Sequence, residues 1–376
     1  MDFDRVLAEL HAGEPRLEHL ASLLRATGDE LSRLTLWAWK VRRSLGPEVT
    51  YSRNVFLPVT NLCRNRCWYC GFRQEPGSGR ARFMRPEEVA ELLELAGEAG
   101  CSEALFTLGE RPEVYGEVRR ALGELGYKGM TDYLEDLCKL ALSYGLLPHT
   151  NAGILSEREL RQLRRWNASM GLMLECAAEL PAHRESPGKD PKLRLETIET
   201  AGKLKIPFTT GLLIGIGESF EDRARSLLEL MRIHEKYGHI QEIIVQPFVP
   251  KQGTPMANCP SPSEEELVAV VAVARLMMPS MSIQVAPNLV RDVGRFLVAG
   301  ANDLGGISPV TPDFINPERT WPKLEALSVA IRSAGFILKE RLPIYPRFAR
   351  DPSFVSDEVC AVLGELMDES GYRRLN

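Results

Sequence analysis

From Tyr51 onward, short runs rich in β-branched and aromatic residues alternate with longer amphipathic segments, and this alternation restricts the fold more than any other feature. Strands are expected at 55–60, 104–108, 146–151, 170–175, 208–214, 242–248 and 282–286, with an eighth at 300–306. Eight such units with no break in composition predict a (β/α)8 TIM-type barrel, an α/β fold, with a partial barrel of six units as the alternative. Before them, apolar residues recur at helical spacing in Val6, Leu7 and Leu10, in Leu17, Leu20 and Leu24, and in Leu31, Leu34 and Ala38, with breaks at Gly13, Pro15 and Gly28. The chain is therefore expected to consist of an N-terminal helical extension at 1–50, a barrel core at 51–310 and a C-terminal helical segment at 311–376 packed on the barrel.

Barrels of this kind collect their chemistry at the C-terminal ends of the strands. Thr60 and Asn61, Gly109 and Glu110, His149 and Asn151, Glu175, Gly215 to Glu218, Gln246, Asn288, and Asn302 with Asp303 occupy those positions and are expected to face one cavity. The first strand runs directly into Cys63, Cys67 and Cys70, spaced C-x3-C-x2-C. Three thiolates on one loop cannot fill four coordination positions, so an iron-sulfur cube held this way keeps one iron open. The competing reading is half of a zinc site completed elsewhere, but no second paired Cys or His motif occurs in the chain. Cys101, Cys138, Cys176, Cys259 and Cys360 are scattered singly, as small core residues are.

His149 and Asn151 are candidates for moving a proton at a strand end, with a hydrogen-bonded structural histidine as the alternative. Glu175 ends an apolar strand and needs a partner, either in a site or in a buried salt bridge. Lys plus Arg number 46 against 51 Asp plus Glu, a net charge of -5 that argues against a general nucleic-acid or anionic-membrane surface. No signal-peptide pattern and no bilayer-length apolar run is present, and clustered thiols suit a reducing compartment, so the cytoplasm is expected.

The C-x3-C-x-aromatic-C loop, with Tyr69 before the last cysteine, resembles the cluster loop of the radical S-adenosylmethionine (SAM) enzymes. The resemblance implies a [4Fe-4S] cluster on Cys63, Cys67 and Cys70, SAM chelated to the open iron, and an external one-electron donor. It further implies that Tyr69 stacks near adenine and that Gly109-Glu110 holds the SAM amino group. Glu175 would meet the ribose hydroxyls, and the glycines of Gly211 to Glu218, with Gly215 and Gly217, would let backbone approach the adenosine. Gln246 is placed with the same cofactor set.

The blocks at 54–73, 106–113 and 300–318 resemble more narrowly the CofG-type subunits of deazaflavin (FO) synthases. This implies an ammonia-releasing cyclisation of a benzyl-uracil adduct made by a CofH-type sister subunit. Asn302, Asp303 and Ser308 are then candidates for binding the uracil or ribityl group, as is Arg184 in the polar loop of His183, Ser186 and Lys189. The alternatives are a CofH-type enzyme, a radical SAM enzyme of the menaquinone futalosine pathway, or a zinc-stabilised binding protein without turnover.

Overall fold

In the computed structural model, which describes residues 15–374 together with Phe3, Val6, Glu9 and Leu10, parallel strands close into a barrel. The staves are β1 (Glu48–Thr60), β2 (Glu103–Leu108), β3 (Leu147–Asn151), β4 (Ser169–Gly171), β5 (Phe208–Ile214), β6 (Ile240–Pro247), β7 (Ser282–Gln284) and β8 (Asp303–Ile307). Neighbours in sequence are neighbours in the sheet, and β1 pairs with both β8 and β2, which closes the ring. The full barrel is therefore the observed one.

The helices begin where short polar side chains take up free backbone N–H groups. Ser156, Ser219 and Ser263 each accept from the amide three residues on, and Glu159, Asp222 and Glu266 return the bond. The helix Glu264–Met277 is buried continuously from Leu267 to Met277. It is apolar on every side because the barrel covers one face and the helix Gly28–Arg43 the other. The helix Leu17–Leu24 lies against Phe220–Tyr237, burying Leu20, Leu23 and Leu24 at about 1.5–3 kcal/mol each. Val6 and Leu10 are helical and buried, whereas Leu7 and the break at Gly13 lie outside the described residues.

Two departures from the expected strands matter for the site. The run at 170–175 is a strand only as far as Gly171. Leu172 N donates to Thr209 O, and pairing resumes with Glu175 N on Gly211 O and Leu213 N on Glu175 O. Three steps along one strand thus oppose two along the other. This is a bulge, and at its end Glu175 has φ 66°, in the left-handed region.

The second departure is β9 (Ile337–Arg341), a strand in a segment expected to hold only helices. β1 has 13 residues, long enough for β9 to pair with its first half and β2 with its second. After β9 the chain passes under the barrel. Arg341 enters the floor to bond Asp303 through Nε at 2.6 Å and Nη2 at 2.9 Å, and Tyr345 donates to Glu242 at 2.6 Å.

Candidate active site

The loop that follows β1 is fixed on both sides before any ligand is considered. Thr60 O accepts from Gly109 N at 2.8 Å, and Arg64 N donates to Glu110 O at 2.9 Å, so the loop is stitched to the end of β2. On its far side Trp68 N donates to Ala182 O and Met256 N to Trp68 O, at 3.0 and 3.1 Å. Gly109 has to be glycine at this seam, because a Cβ there would lie 2.0 Å from Leu62 O.

Cys63, Cys67 and Cys70 are free thiols and all line a cavity of about 360 Å³ at the C-terminal ends of the strands. Glu110 N donates to Cys63 Sγ at 3.2 Å and Ser186 Oγ to Cys67 Sγ at 3.3 Å, donors of the kind that stabilise negative sulfur. The cavity lining holds no fourth cysteine and no histidine. Among the described residues no three metal-binding side chains converge on a single-ion site. This donor set fits a [4Fe-4S] cube with one iron open and does not fit a closed zinc site.

The wall opposite is charged. Glu175, aimed inward by the bulge, pairs with Lys189, the last residue of a short 3-10 turn (Pro187–Lys189) before the helix Pro191–Lys203. Burial pushes the Glu175 carboxyl up, but Lys189 and Arg194 together outweigh it and hold the group below its usual range. Glu110 accepts from Arg64 Nε and Nη2 at 2.9 and 2.7 Å and from Ile154 N at 3.2 Å, with Arg194 Nη2 at 3.7 Å. Gly188 leaves room for this carboxylate, since a Cβ there would be 1.6 Å from Glu110 Oε1. The carboxylate given to the SAM amine by resemblance is thus bound to the chain's own arginines.

Tyr69, Asn151 and Gln246 line the cavity. The Tyr69 hydroxyl is 2.9 Å from His183 Nε2. His149 lies one layer deeper, with Nδ1 at 2.6 Å from Ser169 Oγ, and burial lowers its imidazole to about 4. It is neutral near pH 7 and is not itself among the residues that line the cavity.

Several expected site residues lie elsewhere. Gly215 and Gly217 have φ of 97° and 102° in the turn after β5, where Glu218 accepts from Gly215 N and Ile216 N at 2.8 Å and from Arg223 Nε at 2.8 Å. That carboxylate binds its own loop and is not part of the cavity wall. Asn302 and Asp303 sit at the start of β8, at the floor of the barrel and at the opposite end from the cysteines. The Asn302 side chain accepts from Arg275 Nη2 and Ile283 N, and Asp303 pairs with Arg341. Both are structural: the run at 300–306 becomes a strand only from residue 303, which moves the pair from one end of the barrel to the other. Ser308 caps the next turn through Thr311, and Arg184 is exposed on the surface.

Arg194, Lys251 and Asn316 complete the wall. Arg194 belongs to the charged side. Lys251, in the loop after β6, donates to Asn316 Oδ1 at 2.8 Å and pairs with Glu318, tying that loop to the segment after β8. Lys251 and Asn316 both line the cavity. Lys251's place in the loop after β6 was the available signal for it, and for Asn316 the signal was its place in the block at 300–318.

The sequence model of the Radical SAM superfamily matches residues 57–230. The 7,8-didemethyl-8-hydroxy-5-deazariboflavin synthase of Methanosarcina barkeri is 53% identical over 327 residues, covering 87% of this chain and 99% of its own. The protein of that name from Archaeoglobus fulgidus is 54% identical over 328 residues, again 87% and 99%. Among solved structures, the FeFe-hydrogenase maturase HydG from Carboxydothermus hydrogenoformans aligns with a TM-score of 0.74 at 19% identity, over 98% of this chain and 86% of that one. Methylornithine synthase (PylB) aligns with a TM-score of 0.67 at 20% identity, over 89% and 97%. The structures share the fold. The sequence relatives, matched over nearly their whole length, go further: this chain belongs to the radical SAM superfamily and, within it, to the 7,8-didemethyl-8-hydroxy-5-deazariboflavin synthase family.

Proposed function

We propose that the chain is the cyclising subunit of FO synthase in deazaflavin coenzyme biosynthesis, a radical SAM carbon-nitrogen lyase. Its substrate is 5-amino-5-(4-hydroxybenzyl)-6-(D-ribitylimino)-5,6-dihydrouracil and its products are 7,8-didemethyl-8-hydroxy-5-deazariboflavin and ammonia. When bound, a [4Fe-4S] cluster on Cys63, Cys67 and Cys70 together with SAM supplies reductive cleavage to methionine and a 5'-deoxyadenosyl radical. The adduct gives up a hydrogen atom to that radical, which leaves as 5'-deoxyadenosine, then an electron to a one-electron acceptor and a proton to solvent, and its amine leaves as ammonia. A CofH-type sister subunit delivers the adduct, an external donor supplies the first electron, and the cytoplasm is the compartment.

The observation that carries this reading is the meeting of all three loop cysteines with Tyr69, Asn151 and Gln246 around a single cavity. The chain's own residues hold and orient. The Lys189–Glu175 pair and the uncharged Asn151 and Gln246 offer distinct sites for charged and neutral parts of the ligands. The apolar lining, including Phe56, Leu105, Leu172 and Ile244, keeps water and stray hydrogen donors from a reactive carbon.

The test is anaerobic reconstitution followed by assay with the sister subunit supplying the adduct. The expected results are a brown protein bleached by dithionite, 5'-deoxyadenosine, and the fluorescence of the product, with Cys67→Ala abolishing SAM cleavage. One zinc per chain and no 5'-deoxyadenosine would overturn the reading. Product only with tyrosine or a futalosine derivative would reassign the substrate.

A further inference from the structure

His149 stands behind Asn151, and the chain of hydrogen bonds around it determines which way the asparagine amide faces. Ser169 Oγ is 2.7 Å from Pro343 O and 2.6 Å from His149 Nδ1. A carbonyl has no proton to give, and two oxygens at that separation repel unless a proton lies between them. The single Ser169 proton is therefore on the Pro343 side. Pro343 O, which also accepts from Gln241 Nε2 at 2.9 Å, is fixed in the segment that passes under the barrel. His149 must then donate from Nδ1 to Ser169. Its Nε2 carries a lone pair, and the amide atom set opposite it is Asn151 Oδ1, at 3.4 Å.

The amide oxygen and nitrogen are nearly identical in shape, so proton count decides which of them meets the histidine. Oδ1 facing a lone pair would be repelled, so the proton count requires the amide turned over from that placement, with its N–H on His149 Nε2 and its oxygen on the cavity side. Gly171 makes the arrangement possible, because a Cβ there would lie 2.2 Å from the Asn151 side chain and 3.1 Å from His149 Nε2. Burial keeps the imidazole neutral, as the proton count requires.

We infer that His149 is a positioning residue: locked as the Nδ1–H tautomer by Ser169 and Pro343, it accepts from Asn151 and so turns the asparagine carbonyl into the cavity, toward an N–H or O–H donor of the substrate. The substrate half of this inference rests on the proposed function. The tautomer does not, and the two can fail separately.

Histidine-selective ¹⁵N NMR of the full chain reads the tautomer directly. An unprotonated Nε2 for His149 at neutral pH is expected; a protonated Nε2, or a cation, would overturn the inference whatever the enzyme makes. Activity then separates positioning from proton transfer. Glutamine at this position has one group to donate to Ser169 and one to accept from Asn151, so H149Q should keep the adduct KM within about threefold, whereas H149F should raise it about tenfold or more with SAM cleavage retained. If H149Q loses kcat as fully as H149F, the histidine moves protons and the inference is wrong. Should H149F not fold, S169A, which removes the Nδ1–H acceptor, should shift the ¹⁵N signal toward a tautomer mixture; an unchanged signal would also count against the inference.

Discussion

Arg64 and Glu110 form a fork across the neck of the cavity, with Nε and Nη2 of the arginine both donating to one oxygen of the carboxylate, at 2.9 and 2.7 Å. Arg64 directly follows Cys63 in the cluster loop, and Glu110 ends the segment after β2. Backbone bonds join the same two residues, and Glu110 N reaches the Cys63 sulfur at 3.2 Å. The cysteine loop and the second strand therefore behave as one unit.

Removing the carboxylate should break that unit. Glu110→Ala takes the carboxylate from a partly exposed Arg64 and leaves Arg194 with the carbonyls of Gly188 and Met173, and losing hydrogen bonds to a charged group costs about 1.5–3 kcal/mol. The expected outcome in urea unfolding is a loss of that size, with less iron bound per chain after reconstitution. A variant with wild-type stability and iron content would contradict it.

The close approach at Gly109 makes a second, purely steric prediction. A methyl group 2.0 Å from Leu62 O has to displace the backbone, at a cost of about 1–3 kcal/mol, and the cluster loop is what moves. Gly109→Ala should lose iron binding while circular dichroism stays close to wild type. Gly97→Ala is the control: a Cβ there meets nothing within 4 Å, and the residue lies within the helix Pro86–Glu98, so stability should hold or rise by about 0.5–1 kcal/mol.

Lys189→Met tests the charged wall. Without the ammonium, Glu175 stays buried beside Arg194 alone and its carboxyl should rise toward or above the ordinary range. A loss of about 3–5 kcal/mol is expected from the single change. Adding Glu175→Gln should recover most of it, since no unpaired carboxylate then remains. Losses that simply add would show that the two side chains do not interact.

Glu242 predicts a pH dependence set at the barrel floor. Burial, and next Asp303, push its carboxyl from the usual 4.5 up to about 7, against the pull of Arg341. Between those values the folded protein keeps a proton that the unfolded chain has released, so this group's stabilisation is complete below about 4.5 and disappears as pH rises through about 7. Glu242→Gln should flatten that part of the Tm profile between about pH 5 and about pH 8. An unchanged slope would place the titration elsewhere.

Much of this architecture was legible in the residues themselves. Strand β5 occupies Phe208–Ile214 as its buried apolar run predicts, and the cysteines fall on a loop after the first strand because β-branched residues stop where the polar ones begin. The alternation of strand and helix implied closure, and the spacing of Cys63, Cys67 and Cys70 implied a vacant metal corner.

What the sequence could not supply was which end of a strand a residue occupies and what lies across from it. Asn302 and Asp303 looked like a strand end and proved to be a strand start, because parallel pairing with Thr50 of β1, and not local propensity, sets where β8 begins. Glu218 turned back on its own loop, Glu175 was aimed inward by a bulge, and β9 joined β1 from nearly 300 residues away, at a pairing of Glu48 with Ile337. Local sequence determined the elements, since propensity and periodicity act over a few residues; only the closed barrel decided which side chains share a cavity, because register and burial are properties of contacts between distant segments.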